Sequence, residues 1–164
     1  MKLHPLTAAH WPAVRAIYEE GIATGNATFE TQAPEWDAWD RAHLPHSRLV
    51  AVDEAGMVLG WAALSPVSSR CVYGGVAELS IYIAAEARGQ GVGRQLLAAA
   101  DTYARQHGCA TIKITVLSAR PELLAWYERH GYARTGAAEP FPATTAFGRP
   151  RQPLTLLELM KTVS

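Results

Sequence analysis

Three glycines alternate with other residues between two arginines in the segment Arg88-Gly89-Gln90-Gly91-Val92-Gly93-Arg94. A residue without a Cβ lets the backbone approach a ligand closely and aim successive N–H groups at one point. The segment follows a strand-like run, Val76 to Ile83, and opens a helix-like run that reaches about His107. The helix start adds unpaired N–H groups and the positive end of its dipole. Arg88 and Arg94 add full charges, so a pyrophosphate is the natural occupant. Two nucleotide loops are excluded by spacing. No lysine follows the last glycine, as GxxxxGK[ST] requires, and GxGxG is not the GxGxxG of dinucleotide-binding turns.

The elements that must position this turn can be read from periodicity. Apolar residues at Trp11, Val14, Ile17, Tyr18 and Ile22 mark a helix from Thr7 or Ala8 to about Ile22, with Thr7 as N-cap and Pro12 in the opening turn. Gly21 to Gln32 reads as a loop, and a short helix with Trp36 and Trp39 follows Pro34. Leu49–Val52 and Met57–Leu64, joined by Asp53-Glu54-Ala55-Gly56, form a hairpin. In Val76–Ile83 the residues Ala77, Leu79, Ile81 and Ile83 share one face, and Glu78, Ser80 and Tyr82 the other. The period then becomes helical at Val92, Leu96, Ala100 and Ala104, and Gly108 stops it. Thr111–Leu117 is a strand, Pro121–His130 a helix that ends at Gly131, and Leu154–Met160 a last strand after a proline-rich loop. Helices and strands in this order predict an α/β or α+β sheet covered by helices.

The 164 residues suit one domain, 1–164, and the ordinary apolar share of 49% argues against disorder. Formal net charge is zero, so no global basic footprint for nucleic acid exists. The N-terminal residues lack a signal-peptide pattern and no window reaches a membrane span, which predicts a soluble, cytoplasmic protein. Cys71 and Cys109 have no CxxC spacing and read as reduced thiols. His43 and His46 lack further ligands nearby, and no metal is expected.

The glycine segment resembles the Q/R-x-x-G-x-G/A motif of the GNAT superfamily, the Gcn5-related N-acetyltransferases, and the element order is similar over essentially the whole chain. The resemblance implies the GNAT fold, a mixed, mostly antiparallel twisted sheet of six or seven strands flanked by about four helices. It implies acetyl-CoA as co-substrate, with the pyrophosphate at Arg88, Gly89, Gln90, Gly91, Val92, Gly93 and Arg94. It also implies that backbone groups near Ile81, Tyr82 and Ile83 hold the pantetheine arm and polarise the thioester. Arg120 stands where many relatives carry an Asn that touches coenzyme A.

Acetyl transfer needs a neutral amine, a stabilised oxyanion and a proton for the leaving thiolate. Glu78, in an apolar strand just before the turn, is the candidate base; the alternative is an exposed glutamate on a solvated face. The run Val76-Ala77-Glu78-Leu79-Ser80-Ile81-Tyr82-Ile83 looks like the phosphinothricin acetyltransferase subgroup, where the Glu at this position is the base. In many GNAT enzymes a Tyr before the Gly-Phe/Tyr turn acts as acid, and Tyr127 in Trp126-Tyr127-Glu128-Arg129-His130-Gly131-Tyr132 matches it.

Asn26-Ala27-Thr28-Phe29-Glu30-Thr31 is similar to the acceptor loop of the same subgroup. There Phe29 would pack on an aliphatic stem and Glu30 hold an ammonium, while Arg70 and Tyr73 would bind an acidic head. The expected acceptor is amino-acid-like: phosphinothricin, methionine sulfone or sulfoximine, or arsinothricin. The subgroup also implies a homodimer. After about residue 100 the chain departs from this pattern. A peptide or polyamine acetyltransferase and a non-catalytic acyl-CoA-binding module therefore stay open as alternatives.

Overall fold

The computed structural model describes residues 1–23, 32–67, 75–118, 120–140 and 155–163. Among them are seven strands, β1 (Lys2–Pro5), β2 (Leu49–Val52), β3 (Val58–Pro66), β4 (Val76–Ile83), β5 (Thr111–Leu117), β6 (Ala133–Pro140) and β7 (Thr155–Thr162). Four helices accompany them: α1 (Trp11–Ala23), α2 (Trp36–Ala42), α3 (Val92–Gln106) and α4 (Pro121–Arg129). The strands form one sheet in the order β1-β2-β3-β4-β5-β7-β6. Every pairing is antiparallel except that of β4 with β5. This is the mixed, mostly antiparallel sheet that the resemblance implies, and an α/β sheet covered by helices as the periodicity predicts.

The period of two sorts side chains onto two faces, each with its own core. Ala51, Ala62, Leu64, Ala77 and Leu79 meet Val92, Leu96, Ala100 and Ala104 of α3 on one side. Val50, Val52, Trp61 and Ala63 meet Val14, Ile17 and Tyr18 of α1 and Trp39 of α2 on the other. Because both faces are covered, β2 is buried at every position and reads as a plain apolar run.

Two strands escaped the sequence reading. β1 contains His4 and Pro5, and β6 reads Ala-Arg-Thr-Gly-Ala-Ala-Glu-Pro. Both are edge strands, which need no apolar alternation because one side pairs and the rest faces solvent. β3 also runs on through Ser65 and Pro66, and β7 begins at Thr155 and ends at Thr162. Thr7 caps no α-helix directly. It opens a 3-10 turn, Ala8–His10, with its N–H donated to His10 Nδ1 at 3.0 Å, and α1 starts at Trp11.

The end of α2 is closed by a buried arginine rather than a glycine. Arg48 donates from Nε to the Leu44 carbonyl at 2.9 Å and from Nη2 to the Asp40 and His43 carbonyls, each at 3.1 Å. Its Nη1 pairs with the Asp40 carboxylate, and the guanidinium lies over the Trp39 ring at 5.1 Å. Trp36 and Trp39 stack on each other, with Trp11 and Trp61 completing the aromatic cluster.

This corner carries a pH dependence. Burial lowers the pKa of His43, partly opposed by its hydrogen bond to the Trp39 carbonyl. Burial also lowers that of His46, helped by His107, whose ring stacks on it at 3.9 Å, and by Arg48. A depressed histidine is neutral in the fold and takes up a proton on unfolding. Stability is therefore complete above the unfolded value of 6.5 and falls as pH drops below it. His46→Gln is expected to reduce the loss in Tm between about pH 7 and pH 5, read by circular dichroism. An equal loss in parent and variant would refute this.

Candidate functional site

The site exists because two parallel neighbours separate. β4 and β5 pair at Val76↔Thr111, Ala77↔Ile112 and Glu78↔Lys113, and the register ends there. On its other edge β4 stays paired with β3 up to Ile83↔Gly60. The stretch Leu79–Ile83 thus stays paired with β3 on one edge, has no register with β5 on the other, and lines the gap between them. The gap is a cleft of about 1010 Å³, floored by β4, β5 and β7 and reaching the glycine turn at one end.

At that end, Gly89 and Gly91 have φ of 79° and 81°, in the left-handed region that favours glycine. Gly91 is the N-cap of α3 and offers no side chain to its first turn. The helix ladder starts with Gln95 N–H donated to the Gly91 carbonyl at 3.2 Å, which leaves the N–H groups of Val92, Gly93 and Arg94 outside it. A Cβ on Gly93 would sit 3.5 Å from the Trp126 ring and 3.9 Å from Ile83 Cδ1, so the turn is packed closely against the cleft wall. No acidic residue occupies the first turn. The donors, the dipole and Arg94 fit a pyrophosphate.

The predicted cofactor residues gather here with one difference. Ile81, Tyr82, Ile83, Arg88, Gly89, Gly91, Val92, Gly93, Arg94 and Arg120 all line the cleft. The Gln90 side chain does not; it turns back to donate to the Glu86 carbonyl at 3.3 Å. Tyr82 belongs by its ring to the α1 side, stacked on Trp61 at 5.1 Å and Tyr18 at 4.9 Å. Arg120 precedes α4 and pairs with Glu122 at 3.5 Å.

Glu78 and Tyr127 line the same cleft. The Glu78 side chain is 38% exposed. Its distinguishing feature is a partner: Lys113 Nζ lies 3.7 Å from its Oε2 and 3.4 Å from Oε2 of Glu158. Thr135 Oγ1 donates to the other Glu158 oxygen at 2.8 Å. A row of alternating charge thus crosses three strands, where simple periodicity predicted a lone carboxylate. Tyr127 is buried, its ring edge-on to Trp126 and Tyr132 at 5.0 and 5.6 Å. Burial pushes its pKa well up; Arg120 opposes the shift and Tyr82 adds to it. The hydroxyl therefore keeps its proton at neutral pH.

Lys113 and Glu158 were missed by the sequence reading. The signal was present, because Lys113 interrupts Thr-Ile-Lys-Ile-Thr on the face away from Ile112 and Ile114. Which strand lies beside it was not readable. The predicted acceptor residues Phe29, Glu30, Arg70 and Tyr73 lie outside the described residues.

Residues 11–132 match the model of the acetyltransferase (GNAT) family. YwnH of Bacillus subtilis is 34% identical over 149 residues, covering 88% of this chain and 90% of its own. The L-methionine sulfoximine/L-methionine sulfone acetyltransferase of Pseudomonas aeruginosa is 29% identical over 133 residues, 78% of this chain and 77% of that one. A phosphinothricin acetyltransferase from Sinorhizobium meliloti, solved in complex with acetyl-CoA, superposes with a TM-score of 0.82 at 26% identity, over 98% of this chain and 87% of that one. Helix-opening glycines, a split between parallel strands and these similarities converge: the chain belongs to the GNAT acetyltransferase family and is an N-acetyltransferase.

Proposed function

We propose that the protein acetylates the amino group of a small amino-acid-like acceptor, of the phosphinothricin, methionine sulfone or sulfoximine, or arsinothricin type, by direct transfer in a ternary complex. The observation that carries this reading is that one cleft is lined by the glycine turn at the start of α3 and also by both Glu78 and Tyr127. The names of the relatives just described supply the acceptor class. Acetyl-CoA supplies the acetyl thioester, and the protein's own groups hold it and move the protons.

The first-turn N–H groups of α3, with Arg88 and Arg94, hold the pyrophosphate. The open edge of Leu79–Ile83 receives the pantetheine arm and donates backbone N–H to the developing oxyanion. Glu78 accepts a proton from the incoming ammonium and leaves a neutral amine. The amine forms the new C–N bond and gives up its second proton to solvent, the C–S bond breaks, and Tyr127 donates its hydroxyl proton to the departing sulfur. The proton held by Glu78 passes to solvent, and solvent reprotonates Tyr127. Phe29, Glu30, Arg70 and Tyr73 are the proposed acceptor contacts, and the working form is proposed to be a cytoplasmic homodimer of a single-domain chain.

A panel of these amino acids with acetyl-CoA and thiol detection tests the reading. Turnover on at least one is expected; activity confined to peptides or polyamines would overturn the acceptor class. Binding of acetyl-CoA without turnover on any amine would favour a non-catalytic module. The cradle has its own test. An alanine at Gly91 disfavours the left-handed backbone by about 1–2 kcal/mol, which lowers the population of the ligand-ready turn. Gly91→Ala is thus expected to raise the acetyl-CoA dissociation constant about tenfold by calorimetry. An unchanged constant would remove the turn from the pyrophosphate site.

A further inference from the structure

The geometry points to Lys113 as an internal acceptor: without a competing amine, the enzyme transfers the acetyl group to its own Lys113 Nζ. This rests on the reading of Glu78 as the base. The chain has three lysines, Lys2, Lys113 and Lys161. Of these, Lys113 alone lines the cleft. Register explains the selection. Lys161 pairs with Ile112 and so points to the α3 side, where its Nζ is held 2.5 Å from the Asp101 carboxylate. Lys113 pairs with Met160 on the opposite face and with Glu78 in the last rung before β4 and β5 part. Lys2 lies at the exposed start of the edge strand β1.

Lys113 presents what an external acceptor must present: a primary amine at the inner end of the split, near the proposed base. Its side chain is 22% exposed, shielded on the floor yet open to the cleft. Glu78 is 3.7 Å away to take the ammonium proton. The neutral Nζ forms a C–N bond with the thioester carbonyl carbon while the C–S bond breaks. Tyr127 gives its proton to the sulfur, solvent carries off the second Nζ proton and reprotonates Tyr127, and Glu78 releases the proton it took, so that acetyl-lysine, free coenzyme A and one net proton are the products. The amide carries no charge. It ends both ion pairs and leaves Glu78 and Glu158 without their shared cation, which alters the acceptor end of the site.

Incubating the full chain with acetyl-CoA and no amine, followed by peptide mass mapping, tests this. Acetylation at Lys113 is expected to run about 100-fold faster than at Lys2 or Lys161, the lower end of what a positioned base contributes. Glu78→Gln, shown to be folded by its thermal melt, is expected to abolish that preference, and Lys113→Arg to remove the modified peptide. Equal labelling of all three lysines, or a Lys113 rate unchanged by Glu78→Gln, would mean chemical acetylation only and overturn the inference. Turnover of an external amine with Lys113 unmodified overturns the inference and leaves the proposed function standing. If neither Lys113 nor any amine is acetylated, both fall.

Discussion

Replacing Glu78 with glutamine is expected to lower kcat by about 10²- to 10⁴-fold, the range for losing a positioned general base. The substitution keeps the shape of the side chain and removes the proton acceptor. It should leave the fold intact, because Lys113 retains Glu158 at 3.4 Å and β4 keeps its pairing with β3 from Ala77 to Ile83. Acetyl-CoA binding should also persist, since the glycine turn is at the other end of the cleft. Steady-state kinetics with the amine acceptor, beside calorimetric titration of acetyl-CoA, would separate the two effects. A kcat within about twofold of the parent would eliminate Glu78 as base, because so small a change is far below what a lost base costs. A loss of cofactor affinity instead would mean that Glu78 organises the split between the strands.

Tyr127→Phe should lower kcat by about 10²-fold or more, because the departing thiolate then lacks its proton donor. The ring stays, so its contacts with Trp126 and Tyr132 at 5.0 and 5.6 Å persist and the melting temperature should hardly move. Loss of rate without loss of stability distinguishes an acid from a packing residue. The raised pKa gives a second readout. Burial holds the hydroxyl in its protonated form beyond its ordinary value of 10.0, so Tyr127 contributes no alkaline decline in kcat/KM below that pH. A variant that keeps full activity, or a parent whose alkaline limb below pH 10.0 disappears with Tyr127→Phe, would reject this role.

Much of the site was legible because it is local. Gly89 and Gly91 take up left-handed backbone and leave a bare helix start, and neither depends on distant residues. The strand period of β4 and the helix period of α3 were legible for the same reason, since one buried face writes its repeat into neighbouring positions, whereas β2, covered on both faces, showed as a plain apolar run. The edge strands β1 and β6 write no such repeat, and their pairing was invisible.

By itself, then, the sequence determined the glycine turn, the strand that leads into it, and the face on which Glu78 stands. The tertiary structure decided what Glu78 meets. Chain order puts β6 before β7, but β7 inserts between β5 and β6 and sets Glu158 beside Lys113. Lys113 itself reaches Glu78 through the short parallel register of β4 with β5, across a helix and more than thirty residues of sequence. Such pairings are set by which strands the sheet brings together, and no local period encodes them. The split that makes the cleft has the same origin, since it is a property of two strands diverging and of neither strand alone.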